Sequence, residues 1–495
     1  MNLSKTKYTN ANQCLKMLWL DTYMNEVKGE VDNDSILDNG NNVHEVARDL
    51  LGSHVTIEFN KNLEVMIDDT KKALEKDNIV ICEASFLYKN NFCSVDILEK
   101  KGKDLYLYEV KGSTSMKDVF LHDMSFQYYV LTSLGYNIKK YYLVYLNNKY
   151  YRQGKLNLNK LFTKVDVTDK IIELQDHVIS KLKEINNYMQ EKKVPGDDID
   201  LKCFKPYACP YWKYCTRNLP KPNVFDIYKL NKQKMIGYYK ENIITFKDLE
   251  KVNLNSNQMM QIEYELNDKD DYINKDNIRK FLNTLTYPLY FLDFETFQLP
   301  IPKYDNTCAY QKIPFQYSLH YIEKGKLYHK EFLGSKKDPR RELAERLISD
   351  IPENVCVLAY NMGFEKGVIK NLAYLFPDLK EHLLNIYDNI KDLMIPFQKK
   401  DYYNKLMKGS YSIKYVLPAL FPNEKELDYH NLELVHNGSE AMSYYDTLFD
   451  KPISEQEYIR KCLLEYCKLD TYAMVMIYEK LLEVTNNKIK IKKIK

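Results

Sequence analysis

Leu289-Tyr290-Phe291-Leu292-Asp293-Phe294-Glu295-Thr296-Phe297 is an apolar run interrupted by two acids. A short continuous apolar run suits a strand buried on both faces. Side chains alternate along a strand, so Asp293 and Glu295 share one face. Burying neighbouring carboxylates raises their pKa values and is costly unless cations compensate. Further acids stand at telling places downstream. The expected strand Val355 to Tyr360 runs into Asn361-Met362-Gly363-Phe364-Glu365, the start of a helix. Tyr466-Cys467-Lys468-Leu469-Asp470 lies on a long helix expected from Ser454 to Leu482, where positions i and i+4 share a face. Four acids delivered by strands and helices suit a two-metal site, with ions about 4 Å apart clamping the attacking and leaving oxygens.

This order (Asp-x-Glu, then Asn-x2-Phe-acid, then Tyr-x3-Asp) resembles the DEDDy 3′–5′ exonucleases of RNase H-like fold, over roughly Leu285 to Leu482. The resemblance implies that Asp293, Glu295, Glu365 and Asp470 hold metal and that Tyr466 orients the attacking water. Glu365 stands where those enzymes usually carry Asp, one methylene shorter. Asp392 and the Ser410-Tyr411-Ser412-Ile413-Lys414 helix start are candidate site-wall or substrate contacts.

Working back to the N-terminus, the block up to Arg217 reads as helix (Cys14 to Thr22), polar turn (Asp32 to Asn42) and helix (Val43 to Leu51). Two strands follow, Phe92 to Leu98 and Leu105 to Val110, joined at Lys100 to Lys103 as a hairpin. A helix from Lys117 to Leu134, a strand from Lys140 to Leu146 and a long helix from Thr168 to Glu191 complete the block. Strand alternation puts Glu109 and Lys111 on one face, and the hairpin brings Asp96 beside them. Two carboxylates there can hold Mg²⁺, whose bound water is acidified, while the ammonium orients that water and stabilises the charge of an attacked phosphate.

That text resembles the RecB-like branch of the PD-(D/E)xK nucleases, and more closely the iron–sulfur exonucleases of the CRISPR-associated type. The matching words are Gly40-Asn41-Asn42-Val43-His44, Ser94-Val95-Asp96-Ile97-Leu98, Glu109-Val110-Lys111-Gly112-Ser113 and Asp123-Met124-Ser125-Phe126-Gln127-Tyr128. The resemblance implies that His44 joins Asp96 and Glu109 as a metal ligand, with Lys111 catalytic and Gln127 beside the site. Leu131 occupies the position where the family's Gln-x3-Tyr pattern carries its tyrosine.

Cys203, Cys209 and Cys215 close the block, five residues between each pair, beside Pro206 and Pro210. Their number and spacing favour metal ligation over core packing without choosing the metal. RecB-like iron–sulfur nucleases take one cysteine from the N-terminus and three from the far end, which implies a [4Fe–4S] cluster on Cys14, Cys203, Cys209 and Cys215, with zinc as the alternative. The cluster would fasten the two ends of the domain, much as a long-range cross-link does. The remaining cysteines read as core thiols.

At 495 residues and 58.9 kDa, the chain is long enough for about two to four domains. With 45% hydrophobic and 28% charged residues it is globular, and its net charge of +3 confines any nucleic-acid surface to a local patch. Codon bias of an A+T-rich genome accounts for the 43 tyrosines and the excess of lysine over arginine. No apolar run approaches the roughly 18 residues of a membrane span, and Met1 to Asn12 lacks a secretory apolar region, so a cytoplasmic protein is expected. The expected class is multidomain α/β. A restriction-endonuclease-like mixed sheet (1–217) and an RNase H-like mixed sheet (285–484) are joined by a helical connector (218–284), with a basic tail (485–495).

The whole resembles a bacterial family that fuses an iron–sulfur RecB-like nuclease to an RNase H-like exonuclease. The resemblance implies a metal-dependent nuclease, using Mg²⁺ or Mn²⁺ at two phosphodiesterase centres on nucleic acid, with DNA ends or single strands as the expected partner, in repair or processing. Two alternatives stay open: a nucleic-acid-binding or assembly factor with a degenerate centre, and an RNA-processing 3′–5′ exonuclease.

Overall fold

A computed structural model describes residues 2–29, 42–196, 199–335, 337–487 and the backbone of 492–493. The chain divides into two units, Met1–Leu219 with Leu299–Gln311, and Pro220–Gln298 with Lys312–Lys495. It is a multidomain α/β protein. Among the described residues no helix is long and apolar enough to cross a membrane. Asp32 to Asn41, and with them Gly40 and Asn41 of the first motif, lie outside the described residues, as does most of the basic tail.

The first unit is built on a mixed sheet of β1 (Leu3–Ser4), β2 (Val55–Thr56), β3 (Asn78–Tyr88), β4 (Asn91–Lys101), β5 (Asp104–Lys111), β6 (Asn137–Leu146) and β7 (Phe162–Asp166). Their order is β2-β3-β4-β5-β6-β7, with β1 paired parallel to β4. The β4–β5 hairpin is antiparallel and β5–β6 parallel, as a crossover through the Asp118–Ser133 helix requires. That helix packs Met124, Phe126, Val130 and Leu131 into the main core. The expected helix from Thr168 to Glu191 is two helices, Thr168–Glu173 and Gln175–Tyr188. Strand β3 and the Lys5–Gln13 helix were not anticipated. Leu299–Gln311, between two strands of the second unit in sequence, packs Ile301, Ala309 and Tyr310 into a core of the first.

The second unit's sheet runs β13-β12-β9-β10-β11-β15, from β9 (Leu289–Phe297), β10 (Ile313–Glu323), β11 (Lys326–Leu333), β12 (Cys356–Ala359), β13 (Ile390–Asp392) and β15 (Lys492–Lys493). Strands β9, β10 and β11 form an antiparallel meander, and β12 and β13 extend β9 in parallel. Along β9 the side chains alternate between two cores, Tyr290, Leu292 and Phe294 in one and Leu289 and Phe291 in the other, as a doubly covered strand requires. The Ile453–Val484 helix covers the second face.

The expected separate connector over 218–284 is part of this unit. Its helices Ser256–Leu266 and Lys275–Leu282 bury Tyr264, Ile278 and Leu282 in the same core as Phe291. The loop expected from Asn267 to Asp276 contains β8 (Tyr272–Ile273), which pairs antiparallel with β14 (Tyr402–Tyr403).

Candidate functional site

In the first unit, the β4–β5 ladder ends with Ile97 opposite Tyr108. Beyond it the Val110 N–H donates to Asp96 Oδ2 at 2.7 Å, so the carboxylate replaces a lost ladder bond. Asp96 and Glu109 are both buried. Lys111 Nζ donates to Glu109 Oε1 at 2.7 Å and to Asp123 Oδ2 at 2.6 Å. Gln127, one turn after Asp123 on the Asp118–Ser133 helix, donates from Nε2 to Glu109 Oε2 at 2.8 Å. His44, on the helical turn 42–47, places Nδ1 3.8 Å from Asp96 Oδ1. The structure therefore brings His44, Asp96, Glu109, Lys111 and Gln127 together.

It also adds three residues that the sequence reading left out. Lys5 Nζ donates to Asp96 Oδ1 at 3.3 Å and to Glu109 Oε1 at 3.1 Å. Asp123, quoted only as part of a motif, holds Lys111. Glu83, at φ +60° within β3, lies between Cys82 and Ala84, which pair with Ile97 and Val95 on either side of Asp96. A β-strand glutamate in the left-handed region is a strained conformation that the surroundings must enforce.

Charge explains the titration of the group. Burial alone would raise the Glu109 carboxyl, but Lys111 and Lys5 beside it hold it well below the usual carboxylate range. Burial would lower Lys111, and the adjacent Asp123 and Glu109 push it up instead. Asp123 is raised, chiefly by burial.

In the same unit, Cys14, Cys203, Cys209 and Cys215 all line one small cavity with Met17 and Tyr211. Cys14 is the joint between the helices Lys5–Gln13 and Leu15–Tyr23. Gln13 Nε2 donates to the carbonyls of Lys202 and Tyr207, both at 2.8 Å, which ties that joint to the three-cysteine segment. No disulfide joins any of the ten cysteines.

The donor set fits a sulfur-ligated group. Four thiolates about 2.3 Å from one tetrahedral zinc would stand about 3.8 Å apart. Among the described residues, the one group of three ligand atoms within 4.8 Å of one another is acidic and lies in the other unit.

That acidic group is Asp293, Glu295 and Asp470, whose ligand oxygens all lie within 4.8 Å of one another. Strand β9 presents the first two on one face, and the Ile453–Val484 helix lays Asp470 across it. Glu365, on the first turn of the Gly363–Leu375 helix, is outside this trio but close enough for its charge to act on Asp293. Glu365 is 2% exposed and its Oε2 has no hydrogen-bond partner. Asp392 does not enter the cluster. It accepts the N–H groups of Asn361 at 3.0 Å and Met362 at 3.2 Å, fixing the turn that launches the Glu365 helix.

Burial, and then Asp470, Glu295 and Glu365, hold Asp293 well above the usual carboxylate range. Glu295 is raised by burial and by Asp470. Asp470 is pushed up to about 7 by burial, against hydrogen bonds from Tyr429 and Tyr466 and the charge of Lys414. Burial, with Asp392 adding, takes Glu365 up to about 8. The phenol of Tyr466 is raised by burial and the surrounding acids, so it stays protonated and serves as a hydrogen-bond donor. Tyr429 donates to Asp470 Oδ1 at 2.7 Å and also lines an open groove of about 990 Å³ that includes Lys414, His430, His436 and Asn437.

A family model described as a domain of unknown function (DUF2779) matches residues 290–412. That span takes in Asp293, Glu295, Glu365 and Asp392 and stops before Tyr466 and Asp470. No curated protein matches the chain.

Proposed function

We propose that the chain is a metal-dependent nuclease with two phosphodiesterase centres, acting on DNA at ends or in single strands. The observation that carries this reading is the Asp293, Glu295 and Asp470 trio, three carboxylates with their oxygens within 4.8 Å of one another, Glu295 buried and the two aspartates half-buried. Such a cluster repels itself as anions, and a divalent cation is the partner that oxygen ligands of this kind take. The meander β9-β10-β11, extended by the parallel strands β12 and β13, supports the RNase H-like part of the reading.

Mg²⁺ or Mn²⁺, when bound, supplies an acidified water and a clamp on the phosphate oxygens. At the second centre Asp293, Glu295 and Asp470 would hold it, with Glu365 entering from its buried position nearby. Tyr429 fixes the rotamer of Asp470, and the protonated Tyr466 orients the attacking water. Lys414 places a cation at the groove wall, where a phosphate backbone would run.

At the first centre Asp96, Glu109 and His44 would hold the metal. Lys111, fixed by Glu109 and Asp123, places its ammonium for the attacked phosphate. Gln127 keeps Glu109 aimed. The four thiols of the cavity at Cys14 would hold a [4Fe–4S] cluster that ties the two ends of the unit.

The test is digestion of end-labelled DNA and RNA by the purified full-length protein, with and without Mg²⁺ or Mn²⁺. Metal-dependent loss of label from DNA supports the reading. Absence of metal-dependent products on both nucleic acids would leave a binding or assembly factor as the better account, and preference for RNA would make it an RNA-processing exonuclease.

A further inference from the structure

Lys5 occupies the space between the two principal carboxylates of the first centre. Its ammonium lies 3.3 Å from Asp96 Oδ1 and 3.1 Å from Glu109 Oε1, and Glu109 is completely buried. Its backbone is fixed: Leu3 and Ser4 pair with Asn91 and Phe92 of β4, and the Ser4 hydroxyl caps the Lys5–Gln13 helix by accepting from Lys7 N–H at 3.3 Å. Lys111 already meets Glu109 at 2.7 Å and has Asp123 at 2.6 Å to hold it. Among the described residues the Lys5 ammonium donates to the two carboxylates that a metal would need, and 26% of its side chain is exposed, which leaves it a route outward.

We propose that Lys5 is a positioning residue of the first centre that stands in for the divalent cation when none is bound, and that the cation displaces it toward the scissile phosphate. The inference rests on the nuclease reading of that centre.

The physical argument is one of charge and space. Asp96, Glu109 and Asp123 carry three negative charges against the two ammoniums of Lys5 and Lys111. A divalent ion bound to Asp96 and Glu109 at about 2.1 Å takes the volume the Lys5 ammonium fills. Two cations so close repel strongly at low dielectric, so the ammonium leaves. Its stem is anchored at a helix start, which limits it to the mouth of the site, where phosphate oxygens would arrive. Lys5 thus keeps the carboxylates from repelling one another in the empty site and contributes a second cation to the loaded one.

The test uses full-length protein carrying Asp293→Ala, so that the second centre takes no metal, with and without Lys5→Gln or Lys5→Arg. Mn²⁺ affinity is measured by calorimetry, the metal-free melting temperature by calorimetric scanning, and single-turnover cleavage with labelled single-stranded DNA. Lys5→Gln removes the competitor and the phosphate cation together. Mn²⁺ should then bind roughly ten- to a hundredfold more tightly, the metal-free protein should melt lower, and cleavage should fall by a similar factor. Lys5→Arg keeps the cation, so its Mn²⁺ affinity and metal-free melting temperature should stay nearer the reference than those of Lys5→Gln.

Affinity and cleavage that fall together in Lys5→Gln would make Lys5 a structural support and overturn the inference, as would no change in either. If the Asp293→Ala reference neither binds Mn²⁺ nor cleaves, the nuclease reading of the first centre fails and the inference falls with it.

Discussion

Tyr429 donates a 2.7 Å hydrogen bond to Asp470 Oδ1. A donor to the ionised form of a carboxylate lowers its pKa, so this bond offsets part of the burial that takes Asp470 up to about 7. Tyr429→Phe should therefore move Asp470 higher. Near pH 7 the variant should bind Mn²⁺ up to about tenfold more weakly, the loss of one hydrogen bond to a charged group, and the gap should close by about pH 9 once the carboxylate ionises. Calorimetric titration at several pH values measures it. Equal affinity at pH 7 would remove Tyr429 from the support of the site.

The raised acids also set a pH dependence of stability. Asp470 and Glu365 have folded-state values of about 7 and about 8, above the roughly 4 of an unfolded chain. The folded protein then holds more protons than the unfolded one between those limits, so the metal-free protein should lose stability as pH rises from about 4 to 8. Mg²⁺ should reverse the loss, and the rise in melting temperature on adding it should be larger at pH 8 than at pH 6. Melting curves at the two pH values check both. A metal-induced rise that shrinks with pH would contradict the titration scheme.

What was legible in the sequence follows the range of the physics. Asp293 with Glu295, and Tyr466 with Asp470, share faces because of strand and helix periodicity, which a local window displays. Strand β9 and the Ile453–Val484 helix accordingly stand where the pattern put them. Lys5 lies 91 positions from Asp96 in sequence and Tyr429 lies 41 from Asp470, and no local pattern marks such contacts. Strands β10 and β11 were missed, although Gln316-Tyr317-Ser318-Leu319-His320 alternates polar and apolar residues, with Tyr317 and Leu319 in one core. Glu365 was expected among four converging acids, but its helix keeps it outside the trio.

Glu365 tests how the second centre is completed. Its buried Oε2 lacks a hydrogen-bond partner, which is costly unless something else compensates. Glu365→Gln keeps the shape and removes the charge, so Mn²⁺ binding should weaken about tenfold or more and 3′-end trimming should nearly stop. Glu365→Asp shortens the arm and should keep only part of the activity. Full trimming in Glu365→Gln would take this residue out of the site.

The thiol cavity predicts a colour. Protein purified without oxygen should be brown and carry iron and acid-labile sulfide, and Cys209→Ser should lose both. The lost tie between Cys14 and the Cys203 to Cys215 segment should cost about 2–5 kcal/mol by the precedent of long-range cross-links, seen as an earlier transition in a melting curve. Stoichiometric zinc without sulfide would make the site a zinc staple.

The most direct test of two separate centres is a comparison of cleavage products from full-length Lys111→Ala and Asp293→Ala, with end-labelled DNA and saturating Mg²⁺. Lys111 contacts Glu109 and Asp123 in the first unit, and Asp293 belongs to the trio of the second. Each change should lower one set of products by about a hundredfold or more, the scale of losing one preorganised charge, and leave the other set intact. The account predicts complementary product patterns from the two variants. Loss of every product in either single variant would contradict it.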